Sequence, residues 1–252
     1  MILGVVSPSL FSEEFKYFAE QFCEEDVVIE LKLEDLTEFS QVSIVDLIDL
    51  SDYLDILEIE IIRLPRFNDV IEYGFQEAIE KAVLIADELN AKFLVIPCIA
   101  SDIRKFKGIP IEIYSELIEY KKILCFEPQL TSTAALEGII ELMESLEKEY
   151  SPSPFALSYD IGTSFSRPIL NDIYDLMSFL RIIHICDLTE YGEKISPFKP
   201  NAKMNPYELL DFLLESRYTD YLLLHYDDKF TDMYINDVSK VRQYVASYLE
   251  RF

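Results

Sequence analysis

The sequence predicts a single (β/α)8 barrel, the TIM barrel, as one domain over residues 1–252. Short apolar runs alternate with longer helical patterns from one end of the chain to the other, which is typical of repeated βα units. The length of 252 residues also matches the roughly 250 residues of one complete barrel. A doubly wound open sheet is the alternative fold, but it normally has fewer units than a chain of this length would contain.

Eight apolar runs are predicted to be strands, and each is followed by a helical pattern. The strands are Ile2–Val6, Val27–Leu33, Leu57–Arg63, Phe93–Pro97, Ile123–Glu127, Ala156–Asp160, Ile182–Asp187 and Tyr221–Tyr226. The helices are Glu13–Glu24, Ser43–Tyr53, Asp69–Leu89, Ile111–Tyr120, Thr131–Glu149, a helix after Pro168, Pro206–Glu215 and a last helix through Tyr248. Because no linker-like or low-complexity segment divides the chain, we predict one domain.

The charge of the chain argues against a nucleic-acid partner. There are 47 acidic and 22 basic residues, which give a net charge of −25. Phosphate backbones of nucleic acids are bound by clustered Lys and Arg. The negative electrostatic field of such an acidic chain would also repel phosphorylated metabolites unless a local cation or a metal offset it. The six glycines form no phosphate-cradling GxGxxG or GxxxxGK loop.

The sequence shows no sign of export or of a membrane span. The first ten residues lack a basic region and a cleavage site, and no apolar stretch is long enough to cross a bilayer. The four cysteines, Cys23, Cys98, Cys125 and Cys186, form no CxxC pair. We therefore expect a cytoplasmic protein whose cysteines are reduced and structural.

Four predicted strands carry an ionisable side chain near their carboxyl ends, after a run of apolar residues. These side chains are Glu127, Asp160, His184 and His225. In a barrel, inward side chains at the carboxyl ends of the strands converge on one pocket. Strand alternation supports a common inward face, because Cys125 and Glu127, or Ser158 and Asp160, are two residues apart.

The chain has only two histidines, and both fall at strand ends. Since barrel geometry offers roughly sixteen such positions, random placement of both has odds of about one in 250. Two imidazoles beside two carboxylates suit Mn²⁺, Zn²⁺ or Fe²⁺ rather than Ca²⁺ or Mg²⁺. We therefore predict a divalent metal bound by Glu127, Asp160, His184 and His225. Asp187 is a further ligand, a partner of a ligand or a solvated loop acid.

These motifs resemble those of the xylose isomerase-like TIM barrel superfamily, which includes sugar epimerases and isomerases, inosose dehydratases and relatives of the AP endonucleases. The order Glu, Asp, His and a polar residue on strands five to eight is similar to the family's pattern. The segment SYDIGTSF resembles its strand-six motif, IHICDL resembles its strand-seven HxxD motif, and AIEKAVLIADELNAKFLVIP resembles its third helix and fourth strand.

The resemblance implies that Glu127, Asp160 and His184 bind the metal and that the strand-five glutamate acts as an acid or base. Two positions depart from the family's pattern. His225 replaces the strand-eight glutamate, and Thr163 replaces the strand-six histidine. A histidine can still bind metal or move a proton near neutral pH, so Glu127 and His225 are the candidate catalytic pair. Members of the family often form dimers, and a homodimer is an open alternative for this chain.

Other charged residues are assigned from their positions alone. The candidate substrate-binding residues are Lys32, Arg63, Thr163 and Asp187. Lys32 contacts substrate, pairs with Glu30 or faces solvent, and Arg63 either holds an anionic group above the pocket or lies on the surface. The loop after the seventh strand, where the resembled family often places substrate contacts, contains three lysines that either contact substrate or, as we favour, are solvated charges: Lys194, Lys199 and Lys203.

Three functions are compatible with these features. The first is a metal-dependent isomerase or epimerase of a small sugar or polyol, in which Glu127 removes a proton next to a metal-polarised carbonyl. The second is a barrel that has lost catalysis and binds a metabolite or another protein, which the departures at Thr163 and His225 suggest. The third, an AP endonuclease-like phosphodiesterase, is disfavoured by the two histidines and the acidic charge.

Overall fold

Parallel pairing of successive strands closes the sheet into a barrel. The computed structural model describes residues 1–99 and 111–250. Within these ranges, the parallel barrel strands are β1 Ile2–Ser9, β2 Val28–Lys32, β3 Glu58–Arg63, β4 Phe93–Ile99, β5 Ile123–Gln129, β6 Phe155–Asp160, β7 Leu180–Ile185 and β10 Tyr221–Leu224. These eight strands are hydrogen-bonded in the closed order β1-β10-β7-β6-β5-β4-β3-β2. The predicted (β/α)8 barrel is confirmed.

Helices surround the barrel and connect its strands. In the described part of the chain they are α1 Glu13–Phe22, α2 Leu36–Gln41, α3 Ile44–Asp49, α4 Ser51–Leu54, α5 Phe67–Tyr73, α6 Phe75–Glu88, α7 Ile111–Glu119, α8 Thr133–Glu149, α9 Ile169–Leu176, α10 Pro206–Glu215 and α11 Tyr234–Leu249. Several begin at a polar cap, since the side chains of Ser12, Ser132 and Asn205 accept backbone N–H groups of the first turn. None of these helices has the length and apolar character that crossing a bilayer requires.

Two predicted helices are interrupted in the structure. The helix expected over Asp69–Leu89 is divided into α5 and α6 at Gly74, whose φ of 117° is incompatible with a continuous helix. The helix expected over Ser43–Tyr53 consists of α3 and α4, which meet at Leu50. Ser43 and Asp46 form a reciprocal capping box at the start of α3. The sequence pattern predicts the buried apolar faces of these helices but not their interruptions at Gly74 and Leu50.

The barrel interior is apolar below its carboxyl-terminal mouth. A separate inner cluster is formed by Val6, Val28, Ile61, Phe93, Val95, Cys125, Ala156, Ile182, Tyr221 and Leu223. Because strand side chains alternate, the residue two positions further along the chain points into the same interior one layer higher. The polar side chains described below therefore lie directly above this apolar plug.

A small hairpin follows the seventh barrel strand and returns toward the mouth. The strand predicted to run to Asp187 ends at Ile185, and Asp187 begins a second, antiparallel pairing. This hairpin consists of β8 Asp187–Leu188 and β9 Lys194–Ile195. Its register pairs Leu188 with Lys194 and so brings a loop lysine back over the barrel.

Closure of the barrel leaves no room for a side chain at Gly4 of β1. A Cβ at this position would lie 2.5 Å from the backbone oxygen of Val28 and would clash with the side chain of Leu223. Since neighbouring strands fix the Val28 carbonyl, we expect Gly4→Ala to lower the free energy of unfolding by about 2–3 kcal/mol in urea denaturation. Gly138→Ala within α8 is the control, because alanine is the better helix former. Equal stability of Gly4→Ala and the unaltered chain would contradict this account.

Candidate active site

Six side chains from six different strand ends converge at the mouth of the barrel. Glu30, Arg63, Glu127, Asp160, His184 and His225 have between 0 and 4% of their surface exposed. They come from β2, β3, β5, β6, β7 and the residue after β10. Pairing of Asp160 with His184 and of Leu223 with His184 aligns β6, β7 and β10 at this level. The four residues predicted to share a site are therefore gathered in one buried polar layer.

The guanidinium of Arg63 binds three glutamates, in what we call the arginine cluster: Glu30, Glu34, Arg63, Glu127 and His184. Nη1 donates to Glu30 Oε1 at 3.1 Å and to Glu127 Oε2 at 3.0 Å. Nη2 donates to the other oxygen of Glu127, and Nε donates to Glu34. Burial alone would raise the pKa of each glutamate, but nearby positive charges lower it. For Glu30 these are His184 and then Arg63, and for Glu127 they are Arg63 and then His184. Arg63 lowers the pKa of Glu34 to about 2.

His184 is held between two carboxylates of the arginine cluster. Its Nε2 lies 2.8 Å from Glu30 Oε2, and its Nδ1 lies 2.8 Å from Glu127 Oε2 and 3.1 Å from the Ser158 hydroxyl. An ionised carboxylate only accepts hydrogen bonds, so this geometry requires a proton on each ring nitrogen. Burial would lower the pKa of His184, but the two carboxylates raise it to about 9. His184 is thus an imidazolium at neutral pH.

The second group at the mouth is the lysine cluster of Asp160, Lys194 and His225. The Lys194 ammonium donates to Asp160 Oδ2 at 2.5 Å and lies 3.0 Å from His225 Nδ1. His225 Nδ1 is itself 3.3 Å from the same Asp160 oxygen. Burial and the Lys194 charge lower the pKa of His225 to about 4, while Lys194 holds the pKa of the buried Asp160 well below its usual range. His225 is therefore a neutral imidazole beside a charged lysine.

The two histidines connect these clusters. Their ring centroids are 5.2 Å apart in an edge-to-face arrangement. They nevertheless differ in charge, because His184 faces two carboxylates whereas His225 faces an ammonium. One buried layer thus contains an imidazolium, which carries two ring N–H groups, beside a neutral imidazole, which carries one.

The predicted metal ligands are close together but their donor atoms are engaged. Both nitrogens of His184 face carboxylates, Glu127 accepts from Arg63 and Ser158, and Asp160 and His225 bind Lys194. A metal ligand must present a free lone pair, which an imidazolium lacks. No set of three or more His, Cys, Asp or Glu side chains among residues 1–99 and 111–250 has an arrangement that could hold a metal ion. The arrangement does not fit the predicted divalent ion, and metal binding stays a prediction.

The predicted substrate-binding residues have different environments. Lys32 is half-buried at the rim and pairs with Asp228 at 2.7 Å rather than with Glu30. Arg63 is buried within the arginine cluster. Thr163 is exposed, and its hydroxyl donates to the backbone oxygen of Asp160 at 3.0 Å.

Asp187 is buried and braces the loop that follows the hairpin. Its carboxylate accepts from the backbone N–H groups of Leu188 at 2.8 Å and Lys203 at 2.9 Å, and it lies 3.5 Å from the Lys199 ammonium. Asp187 is therefore not the solvated loop acid that was one alternative, because it is buried, and its contacts position the loop. The substrate roles of all four candidates stay predictions.

A cleft beside the arginine cluster opens at the mouth. Its volume is about 360 Å³, which is within the range of small-molecule sites. Its described lining includes Arg66, Phe67, Asn68, Asp69, Pro97, Cys98, Ile99, Glu127, Gln129 and Thr163. Glu127 therefore lies both in the buried polar layer and in the wall of a space that can hold a small ligand.

Sequence reasoning missed Lys194 as a member of the site. It was interpreted as a solvated charge, yet only 18% of its side chain is exposed and its ammonium lies on Asp160. The cause is the β8–β9 hairpin, which no strong local signal predicts. Glu30 is named above only as one alternative partner of Lys32, although an acid in the apolar run VIELK, two residues from Val28, is a usable signal of an inward buried charge.

The charge of His184 leads to a pH prediction. Its pKa is about 9 in the folded chain and about 6.5 in an unfolded chain. Folding raises this pKa, so protonated His184 stabilises the folded chain. This contribution to the free energy of unfolding is fully present below about pH 6.5 and is lost as the pH rises toward 9. We expect urea denaturation to show this loss in the unaltered chain and in His225→Asn, but a weaker pH dependence in His184→Asn. The ¹⁵N shifts of the His184 ring measure the pKa directly, and a value at or below the unfolded one would contradict the assignment.

Solved structures similar to this chain are sugar-epimerase-like barrels and a dehydratase. A D-tagatose 3-epimerase-like protein is 19% identical, with 99% of this chain and 97% of that chain covered and a TM-score of 0.66. For 3-keto-D-glucoside 4-epimerase from E. coli the identity is 13%, the coverage 96% and 99%, and the TM-score 0.63. For a probable 3-DHS dehydratase from Bacillus anthracis the values are 13%, 89% and 92%, and 0.59.

No family model and no curated protein sequence matches the chain. At identities of 13–19%, the similarity to these three structures establishes the fold alone. The expected TIM-barrel fold is confirmed, and it is the fold of these solved structures.

Proposed function

We propose that this chain is an enzyme that isomerises or epimerises a small sugar or polyol-derived carbonyl compound by moving a proton at the carbon next to the carbonyl. The observation that carries the proposal is the convergence of Glu127, Asp160, His184 and His225 beside a cleft at the barrel mouth. Active sites of TIM barrels lie at this face. Similar solved structures include a D-tagatose 3-epimerase-like protein and a 3-keto-D-glucoside 4-epimerase.

Glu127 is the base in this proposal. It is ionised, because Arg63 and His184 lower its pKa despite burial, and it forms part of the cleft wall. Arg63 binds both of its oxygens, which fixes the orientation of the carboxylate. A base with a lowered pKa is weak, so the reaction needs strong stabilisation of the charge that develops on the carbonyl oxygen.

Lys194, which lies beside the neutral His225, supplies the proton for the carbonyl oxygen in this proposal. Lys194 is the donor, and the neutral His225 lies 3.0 Å from its ammonium. Glu127 removes a proton from the carbon next to the carbonyl while the ammonium gives a proton to the carbonyl oxygen, which forms an enediol; Glu127 then returns its proton to the neighbouring carbon, and Lys194 regains a proton from the other hydroxyl. His184 and Arg63 remain charged throughout and contribute a fixed positive potential.

The proposal predicts isotope exchange from solvent. When D-tagatose, D-fructose and D-psicose are incubated with the protein in D₂O, NMR is expected to show deuterium entering the carbon next to the carbonyl of at least one sugar. Glu127→Gln should lower that rate by about 10²–10⁴-fold, which is the usual contribution of a positioned acid or base. Glu147→Gln, on the exposed last turn of α8, is the control for loss of an acid elsewhere.

Circular dichroism and melting curves must first establish that Glu127→Gln is folded, since the substitution removes one of the carboxylates that compensate the buried charge of Arg63. Glu127→Asp, which retains the charge but shortens the side chain, provides a second variant with an intermediate rate. Unchanged exchange in a folded Glu127→Gln would disprove the assigned base. Absence of exchange with every sugar would count against the enzyme.

A specific observation favours a second function, a barrel that binds a small metabolite without converting it. The carboxylates of Glu30, Glu127 and Asp160 each have a basic partner inside the protein. This arrangement supports a stable, charge-balanced binding site as well as a catalytic one. Calorimetric binding of a sugar that shows no deuterium exchange would favour this alternative over the isomerase.

A further inference from the structure

We propose that the ammonium of Lys194, assisted by Arg63, is the resident cation of this site and takes the place of a divalent metal ion. The inference rests on the positions of these side chains, and it holds whether or not the site converts a substrate. It also assigns Lys194 a ligand-binding role, because its position allows it to donate a hydrogen bond to one oxygen of a bound molecule.

The first step is the position of the ammonium. Lys194 Nζ lies 2.5 Å from Asp160 Oδ2, 3.0 Å from His225 Nδ1 and 3.3 Å from His225 Nε2. A metal bound by the same carboxylate and imidazole would sit about 2.1 Å from each. The ammonium and such an ion would thus require the same small space between Asp160 and His225, and their like charges would repel each other strongly in a buried site.

The second step is the occupation of the other predicted ligands. Arg63 Nη1 and Nη2 bind the two oxygens of Glu127. Both ring nitrogens of His184 lie 2.8 Å from carboxylate oxygens, of Glu127 and Glu30. Recruiting Glu127 and His184 to a metal would therefore require breaking buried ion pairs on two additional strands.

The third step is the charge balance of the layer. Four carboxylates, those of Glu30, Glu34, Glu127 and Asp160, face the guanidinium of Arg63, the imidazolium of His184 and the ammonium of Lys194. Three positive charges nearly cancel four negative ones. The neutralising role for which a divalent ion was predicted is therefore already filled by side chains of the chain itself.

The remaining donor of Lys194 points to the ligand class. An ammonium has three N–H donors, and among the described residues Asp160 and His225 take two of them. The 18% of the Lys194 side chain that is exposed leaves access from the mouth. One donor can bind one carbonyl, hydroxyl or carboxylate oxygen, whereas a divalent ion commonly chelates two neighbouring oxygens. The inferred contact is therefore with a single ligand oxygen, and the identification of the ligand as a small hydroxy-carbonyl compound rests on the proposed function.

Metal binding is the first test. The protein is purified, treated with EDTA and titrated with Mn²⁺, Co²⁺ and Zn²⁺, and the readouts are elemental analysis, the melting temperature and the visible absorption of Co²⁺. We expect far less than one ion per chain, no change in melting temperature and no Co²⁺ band. One Co²⁺ per chain, with a band that His225→Ala abolishes, would overturn the inference.

A double-mutant cycle is the second test. Lys194→Met keeps the aliphatic stem but leaves Asp160 as an uncompensated buried charge, so the melting temperature should fall by roughly 10 °C. Adding Asp160→Asn should restore most of this loss, which a merely structural role of the Lys194 stem would not do. Lys203→Ala, an exposed lysine of the following loop, is the matched control. An unchanged melting temperature in Lys194→Met would contradict the proposal.

The outcomes separate this inference from the proposed function. A metal-free protein with the expected cycle but no deuterium exchange would retain the internal cation and reject the isomerase. A protein that binds one Co²⁺ per chain at His225 and exchanges deuterium would reject the internal cation and retain the isomerase.

Discussion

The barrel mouth depends on the neutralisation of buried carboxylates by buried cations. An ionised acid removed from water costs several kcal/mol unless a partner and hydrogen bonds compensate for it. Glu30, Glu127 and Asp160 are almost fully buried in a chain of net charge −25. Arg63 and Lys194 meet this requirement directly. Without these two cations the same layer would expel its acids or protonate them.

The barrel geometry allows this arrangement with few residues. Inward side chains two positions apart form successive layers, so Cys125 lies in the apolar plug while Glu127 lies in the polar layer above it. Parallel register then brings neighbouring strands to the same height, as with Asp160 and His184. The apolar layer below excludes water from one side of the charges, which strengthens each ion pair and also each penalty for an unpaired group.

The parts of the site that lie on strands could be predicted from the sequence. His184 and Asp160 end apolar runs, and period-two alternation plus barrel closure is sufficient to bring them together. The interruption of the predicted helix at Gly74 could not be predicted in the same way. The apolar stripe continues past Gly74 in the sequence, whereas the φ of 117° at Gly74 divides the helix in the structure. Lys194 was harder still. Its position depends on the antiparallel pairing of Leu188 with Lys194, which is a tertiary arrangement and leaves no periodic pattern in the sequence.

The charge states of the histidines could not be deduced from their positions either. His184 and His225 occupy equivalent strand ends, yet the pKa of one is raised to about 9 and that of the other is lowered to about 4. The difference arises from partners supplied by distant segments, Glu30 from β2 and Lys194 from β9. Two identical side chains thereby differ in charge at neutral pH, one being an imidazolium and the other a neutral imidazole. The identity of a strand-end residue therefore limits the charge states that it can adopt, and the charged groups packed against it determine which of these states it has.

A side-chain cation in the position proposed for Lys194 differs from a metal ion in what it lets a site do as well as in how it holds the site together. A divalent ion concentrates two charges at one point and leaves when its ligands are protonated or a chelator competes. An ammonium carries one charge, directs its donors along three N–H bonds and is attached to the chain. The position of Lys194 on a hairpin, rather than on a barrel strand, makes the cation part of a surface segment that can change while the barrel stays the same. The barrel fold by itself therefore carries no requirement for a metal, since the charge that compensates Asp160 comes from a hairpin outside the barrel strands.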